Sequence, residues 1–204
     1  MPEAGNVIGM TTYATFLRRA MREPAMIGAP APTGAALAAE IAAVVPSSPA
    51  VTVVELGPGT GPICPAVRAR LTPGSRYVAV ELDAELVTHL RRALPWLDVL
   101  HGDAADLPAL LAGAGVGPVH AVVSSLPWTL FPAGKQRRML AGIAATLAPG
   151  GVFTTISTLT ALPALVRDLR ESLDATFEDV VATRPVWRNV PPSRLFVCRR
   201  PRSC

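Results

Sequence analysis

The sequence predicts an α/β fold built on a mostly parallel sheet, and three observations predict it. Apolar, β-branched segments of strand length alternate with segments of helical periodicity, the pattern of a layered α/β sheet. Val51 to Gly61, V-T-V-V-E-L-G-P-G-T-G, leads a strand suited to burial on both faces into glycines at 57, 59 and 61. A second strand-like run, Arg76 to Leu82, carries an acid, Glu81, at its end. A strand that passes through a glycine loop into a helix forms a crevice at the carboxyl end of a parallel sheet. Glycine is needed there because a Cβ would collide where backbone turns at positive φ or approaches a ligand. The G-x-G-x-G spacing falls short of the G-x-G-x-x-G of dinucleotide sites, and taken alone it also fits a plain tight turn.

Length and composition suit one domain with a sizeable core. Of 204 residues, 50% are hydrophobic and 17% charged, which excludes wholesale disorder. No apolar run reaches the roughly 18 residues needed to span a bilayer. Met1 to Thr12 lacks a basic segment followed by an apolar one, so no signal peptide is expected. The cysteines, Cys64, Cys198 and Cys204, are odd in number and not at C-x-x-C spacing, which points to a reduced, cytoplasmic protein. His89, His101 and His120 show no ligand spacing, and no metal is expected. The net charge is +4 and the pI near 9.5. Arg18, Arg19 and Arg22 lie near the start, while Arg184, Arg188, Arg194, Arg199, Arg200 and Arg202 crowd the end. Such groups suit a phosphate-bearing partner, although any one of them alone reads as ordinary surface.

In order, residues 1–34 read as an amphipathic helix with a connector, and 35–204 as the domain. Tyr13, Phe16, Leu17 and Met21 recur at helical spacing beside arginines, so Tyr13 to Arg22 is a helix ending near Pro24. It can lie on a membrane, cap a cofactor site or pack on the core. Pro24 to Gly34 is turn-rich, with Thr33 placed to cap a helix over 34–45. After the glycine loop, Pro62 to Leu71 reads as a helix, its prolines tolerable only in the first turn. Asp83 caps a helix over 84–94, and a short third strand lies within Trp96 to His101. Leu107 to Ala114 is a short helix, Val119 to Ser124 a strand, Lys135 to Leu147 a helix stopped by Pro149-Gly150-Gly151, and Val152 to Thr158 a strand. Pro163 to Leu173 is a helix, and two last strands lie near Phe177 to Thr183 and Leu195 to Arg199.

The loops after successive strands then share one edge of the sheet. The glycine loop offers backbone amides to a nucleoside-bearing ligand. Glu81, about 20 residues past the last loop glycine, is placed to accept ribose hydroxyls, and its charge disfavours a 2′-phosphate. Asp103 suits either an adenine amino group or a helix cap. Ser124-Ser125-Leu126-Pro127-Trp128 sets polar atoms and a large ring beside the same crevice, with core packing as the other role of Trp128.

E-L-G-P-G-T-G, the acid at Glu81, the G-D-A at Gly102 to Ala104 and the later P-G-G resemble the class I S-adenosylmethionine-dependent methyltransferases over roughly Val51 to Thr158. The resemblance implies a seven-stranded, Rossmann-like sheet with S-adenosyl-L-methionine as cofactor. Phe16 to Gly34, H-G-D-A-A-D-L, S-S-L-P-W and Arg188 to Arg200 are similar to the bacterial phospholipid N-methyltransferases, which methylate phosphatidylethanolamine. By that resemblance Glu55, Gly57, Gly59 and Gly61 line the methionine end, Glu81 holds the ribose, and Asp103 with Ala104 the adenine. It further implies a phospholipid headgroup at an anionic membrane surface as partner, peripheral attachment through the N-terminal helix, and no nucleic acid. The run Phe153-Thr154-Thr155 departs from that family, which carries a further aromatic there, and so a biosynthetic small-molecule acceptor stays open.

Methyl transfer to an amine needs the lone pair free and aligned, and alignment alone supplies about 7 kcal/mol or more. No His or paired carboxylates stand ready as a strong base, although His101 and His120 fall near strand ends; His120 reads as a core residue. Proximity catalysis is therefore expected, with Tyr13, Ser124, Ser125 and Trp128 shaping the amine site and Arg188 and Arg194 holding a phosphate. RNA adenine dimethylation shares the glycine-rich start, but Ser125 stands where that class has Asn. A cofactor-binding protein without catalysis would show the same loops.

Overall fold

The structure, a computed structural model, describes residues 33–202. The helix expected over Tyr13 to Arg22, and Tyr13 with it, lies outside the described residues. The elements follow in the order α1 (Ala35–Val44), β1 (Thr52–Leu56), α2 (Cys64–Arg70), β2 (Arg76–Glu81), α3 (Ala84–Ala93), β3 (Asp98–His101), α4 (Leu107–Gly113), β4 (Val119–Ser124), α5 (Ala133–Thr146), β5 (Leu147–Thr158), α6 (Pro163–Thr176), β6 (Phe177–Ala182) and β7 (Ser193–Pro201). Seven strands form one sheet in the order β3-β2-β1-β4-β5-β7-β6. β1 to β5 are parallel, and β7 enters antiparallel between β5 and β6.

The near-continuous apolar strands follow from burial on both faces. On one face Val54, Leu56, Val122 and Phe153 pack with Leu107, Leu140 and Leu173 of α4, α5 and α6. On the other, Val53, Ala79, Val123 and Val152 meet Leu37, Ile41, Val67 and Leu90 of α1, α2 and α3. Successive residues thus belong to different cores, and every strand residue from Val53 to Leu56 is buried. The crossovers leave the carboxyl ends of β1 to β5 at one edge.

Asp83 caps α3 as its position predicts, accepting from the amides of Glu85 at 2.9 Å and Leu86 at 3.2 Å. The expected cap at Thr33 is corrected. Gly34 holds the N-cap of α1 without a side-chain cap, and its own amide donates to Asn189 Oδ1 at 2.9 Å. A loop 155 residues away does the anchoring that a local hydroxyl was expected to do. The terminal arginines also divide in space. β7 runs antiparallel, so Arg194 starts it at the site edge, whereas Arg200 pairs with Glu178 and Asp179 at the opposite end. Arg202 donates to the carbonyl of Asp174.

Candidate active site

The site begins where β1 stops. Gly57, Gly59 and Gly61 all adopt positive φ, at 65°, 61° and 81°. The amide of Gly57 donates to Val80 O at 2.9 Å, tying the loop to β2. Glu81, fully buried at the end of β2, accepts from the amides of Gly59 at 3.1 Å and Asp83 at 3.0 Å. The acid predicted from spacing therefore lies against the glycine loop. Each carboxylate oxygen keeps acceptor capacity beyond the amide it already serves. Burial pushes the Glu81 carboxyl above the usual carboxylate range, and the two amide contacts oppose that push.

Two of the glycines serve different ends. A Cβ on Gly61 would meet Leu94 Cδ1 at 2.9 Å and Leu90 Cδ2 at 3.1 Å, so Gly61 lets α3 pack close. A Cβ on Gly59 would meet nothing within 4 Å, so its outer side is open.

Glu55 lies behind the loop on the α2 side of the sheet. One oxygen accepts from Cys64 Sγ at 3.2 Å and from the Tyr77 hydroxyl, while Oε1 has no partner. Burial raises its pKa, the two donors oppose the rise, and the neighbouring Glu81 adds to it. The protonated carboxyl is thus favoured in the fold. That contribution to stability is complete below the ordinary value of 4.5 and is lost as pH rises through the raised folded value. Glu55→Gln is expected to gain melting temperature on the wild type steadily as pH is raised from 4.5, read by paired thermal melts. A constant offset would contradict this.

Asp103 follows β3. Its Oδ1 accepts from the Ala105 amide at 2.9 Å, the capping role, while Oδ2 pairs with Lys135 Nζ at 2.8 Å. Gly57, Glu81, Asp103, Ala104, Leu126 and Phe131 surround a depression of about 20 Å³. It is too small to enclose an adenosine, and so offers a floor rather than a socket. Beside it opens a cavity of about 580 Å³, lined by Leu37, Ser125, Trp128, Ile156, Leu162 and Val190 among others. Leu126 lines both spaces and forms the wall between them.

The loop after β4 builds that wall. Trp128 is buried and donates its Nε1–H to Ser124 Oγ at 2.9 Å, which also accepts from the Leu126 amide at 3.3 Å. Gln136 Nε2 donates to the carbonyls of Trp128 and Phe131 at 2.9 and 3.0 Å and clamps the loop. Ser124 thus holds the indole, while Ser125 lines the cavity. Arg188 is exposed and outside the lining, and Arg194 faces Ser157 across the β5–β7 ladder. His120 accepts from the Thr52 amide at 3.0 Å near the amino end of β4, a structural role. His101 Nε2 lies 3.1 Å from Leu82 O. Lys135, Phe131, Ser157 and Asn189 carry no local signal in the sequence that points to the site. Among the described residues no cluster is suited to hold a metal, and no helix is long and apolar enough to cross a membrane.

The methyltransferase domain family matches residues 53–151, which hold the loop, Glu81 and Asp103. Ornithine lipid N-methyltransferase of Singulisphaera acidiphila is 30% identical over 194 residues, spanning 93% of this chain and 97% of that one. The chain belongs to the class I S-adenosylmethionine-dependent methyltransferases. A ribosomal RNA small subunit methyltransferase A from Burkholderia mallei is 40% identical, but over 80 residues and 29% of its length. Among solved structures, a TehB-like methyltransferase from Corynebacterium glutamicum superposes with a TM-score of 0.54 at 13% identity, covering 93% of this chain and 99% of that one. TrmN from Thermus thermophilus gives 0.62 at 24% identity over 80% of this chain and 48% of its own. These likenesses show the fold. The cofactor of this methyltransferase is S-adenosylmethionine. The open side of Gly59 and the spare acceptor sites on Glu81 fit a ligand that carries a vicinal diol.

Gly59→Ala separates loop strain from ligand space. Left-handed backbone costs an alanine roughly 1–2 kcal/mol. The fold should tolerate that, while the new methyl enters the open side and weakens cofactor binding by about tenfold or more. Gly61→Ala, with the same strain plus contact to Leu94 and Leu90, should instead lower the melting temperature further. Equal cofactor affinity in wild type and Gly59→Ala would contradict this division.

Proposed function

We propose that this enzyme transfers a methyl group to the primary amine of a membrane lipid, the ethanolamine headgroup of a phospholipid first of all. The observation that carries the proposal is the mouth of the large cavity. Leu162 and Val190 line that cavity, yet are 66% and 60% exposed, and Trp187 nearby in sequence is 71% exposed. Their loops are joined by the Leu159 amide donating to Pro192 O at 2.8 Å. Large apolar side chains around a cavity opening suit a bilayer. The exposed Arg184 and Arg188 add attraction to anionic lipid, about 1 kcal/mol each close to the surface. A relative named for N-methylation of ornithine lipid supports a lipid-borne nitrogen as acceptor.

The residues divide the work accordingly. Gly57, Gly59 and Gly61 receive the methionine end, with Glu55 behind them; Glu81 accepts the ribose hydroxyls; Asp103 and Ala104 face the adenine. S-adenosylmethionine supplies an electrophilic methyl group on its sulfonium. The amine site is shaped by Ser125, by Trp128 held on Ser124, and by Tyr13 from the N-terminal segment. Arg188 and Arg194 attract the lipid's anionic group. Within the described part of the site no histidine or paired carboxylates face the cavity, so the chain's contribution is to exclude water and align a neutral amine.

Incubation with labelled S-adenosylmethionine tests this directly. Vesicle-borne phosphatidylethanolamine or ornithine lipid should gain label, while phosphoethanolamine, free ornithine and ribosomal RNA should not. Label on RNA or on a soluble amine, with the lipids left bare, would overturn the lipid reading. Trp187→Glu with Val190→Glu should reduce retention on anionic vesicles by about tenfold or more, given the apolar area removed, at unchanged cofactor affinity. Unaltered retention would remove this face from the account.

A further inference from the structure

Buried polar atoms in proteins almost always find a partner, so the exceptions call for an explanation. Among the described residues, four of the five buried side-chain polar atoms without one belong to Ser125, Thr155, Ser157 and Arg194; the fifth is Glu55 Oε1. Those four gather at one place in the fold. Thr155 lies opposite Ser124 in the β4–β5 ladder, and Ser157 lies opposite Arg194 in the β5–β7 ladder. Phe153, two residues before Thr155, and Phe196, two after Arg194, belong to the core under α5 and α6. By strand alternation Thr155, Ser157 and Arg194 therefore project from that same face, at its carboxyl edge. Ser125 follows β4 there, and both Ser125 and Ser157 line the large cavity.

Thr155 and Ser157 are 1% and 4% exposed, so bulk solvent does not serve their hydroxyls. The Arg194 side chain is partly exposed, while its Nε–H is buried and idle. Three hydroxyls that can each donate, beside a guanidinium that only donates, form a donor-rich corner that Ser125 and Ser157 open to the large cavity. Its chemical complement is an oxyanion.

We propose that Ser125, Thr155, Ser157 and Arg194 form a subsite for an oxyanion, phosphate or carboxylate, carried by an apolar-tailed ligand in the large cavity. The inference rests on the lipid-amine reading for the ligand's identity, and it turns that reading into a selectivity rule. The acceptor must bear an anion within reach of its amine, and a long-chain amine without one is a poor acceptor. Arg188 is exposed and outside the cavity lining, so its attraction for the anionic group acts as the lipid approaches, not within this subsite.

The subsite can be tested without methyl transfer. Dodecyl phosphate, dodecanoate and dodecanol share a tail and differ in head, and each is titrated calorimetrically into the full-length enzyme. The wild type should bind at least one of the two anions roughly tenfold or more tighter than the alcohol. Whichever anion leads separates a phosphate-bearing from a carboxylate-bearing acceptor. In Arg194→Gln the advantage should fall to within about twofold, and in Ser157→Ala by about threefold to tenfold, with dodecanol binding unchanged as the check that the cavity is intact. Anions no tighter than dodecanol on the wild type would overturn the subsite and assign the idle hydroxyls to water. An advantage that survives both variants would place the anion elsewhere. Absence of lipid methylation alongside a clear anion preference would sink the lipid-amine reading and leave the subsite standing.

Discussion

Replacing Glu81 with alanine is expected to weaken binding of S-adenosylmethionine, or of its demethylated product, by roughly 100-fold. A carboxylate that accepts from two ribose hydroxyls makes two hydrogen bonds to a charged group, each worth about 1.5–3 kcal/mol. Taking the lower figure for both gives about 3 kcal/mol, and each 1.4 kcal/mol is about tenfold. The loss also reaches the loop, because the amides of Gly59 and Asp83 lose their acceptor together. Glu81→Gln keeps the shape and one acceptor oxygen, so it should fall between, at about tenfold. Calorimetric titration of both variants, with melts to confirm the fold, provides the comparison. A Glu81→Ala enzyme that binds like the wild type would show that the acid serves only the loop.

Trp128→Ala is expected to cost about 3–5 kcal/mol of stability, the range for deleting a large buried aromatic. Against a total of about 5–15 kcal/mol for a typical domain, that is a large share. The ring is 1% exposed and meets Phe153 and Phe131 edge to face at centroid distances of 5.7 and 6.0 Å. Its Nε1–H occupies Ser124 Oγ, which the substitution would leave buried with only the Leu126 amide. Trp128→Phe preserves much of the packing and deletes the indole donor, so about 1–2 kcal/mol is expected for it. Because Trp128 also lines the large cavity, the alanine variant should lose acceptor turnover even at temperatures where it stays folded. Chemical unfolding reads the first effect. A loss below about 1 kcal/mol would mean that the wall behind the acceptor is held by other contacts.

How much of this was legible in the sequence depended on the range of each interaction. The central strands were readable because burial on both faces leaves a local trace, V-T-V-V and V-A-V, and because Asp83 caps the helix that follows it directly. Glu81 reaches Gly59 across 22 residues and was legible only through its spacing from the glycine loop. The β4 limits, Val119 and Ser124, match the expectation for the same reason. Contacts between distant segments left no such trace. Asn189 anchoring Gly34 and Lys135 pairing with Asp103 join residues that no local pattern links. The antiparallel insertion of β7 separates arginines that stand together in the sequence. Asp103 reads equally as a cap or an adenine contact, and the fold shows the cap. Ser157 reads as an ordinary strand residue until its hydroxyl proves buried and idle.

The most direct measurement of the central claim is a crystal structure of this methyltransferase with S-adenosylhomocysteine. The account predicts both ribose hydroxyls within hydrogen-bond distance of the Glu81 carboxylate, the backbone of Gly59 against the ligand, and the sulfur turned toward the cavity behind Leu126. A ligand seated away from the glycine loop, or held there with Glu81 untouched, would contradict it.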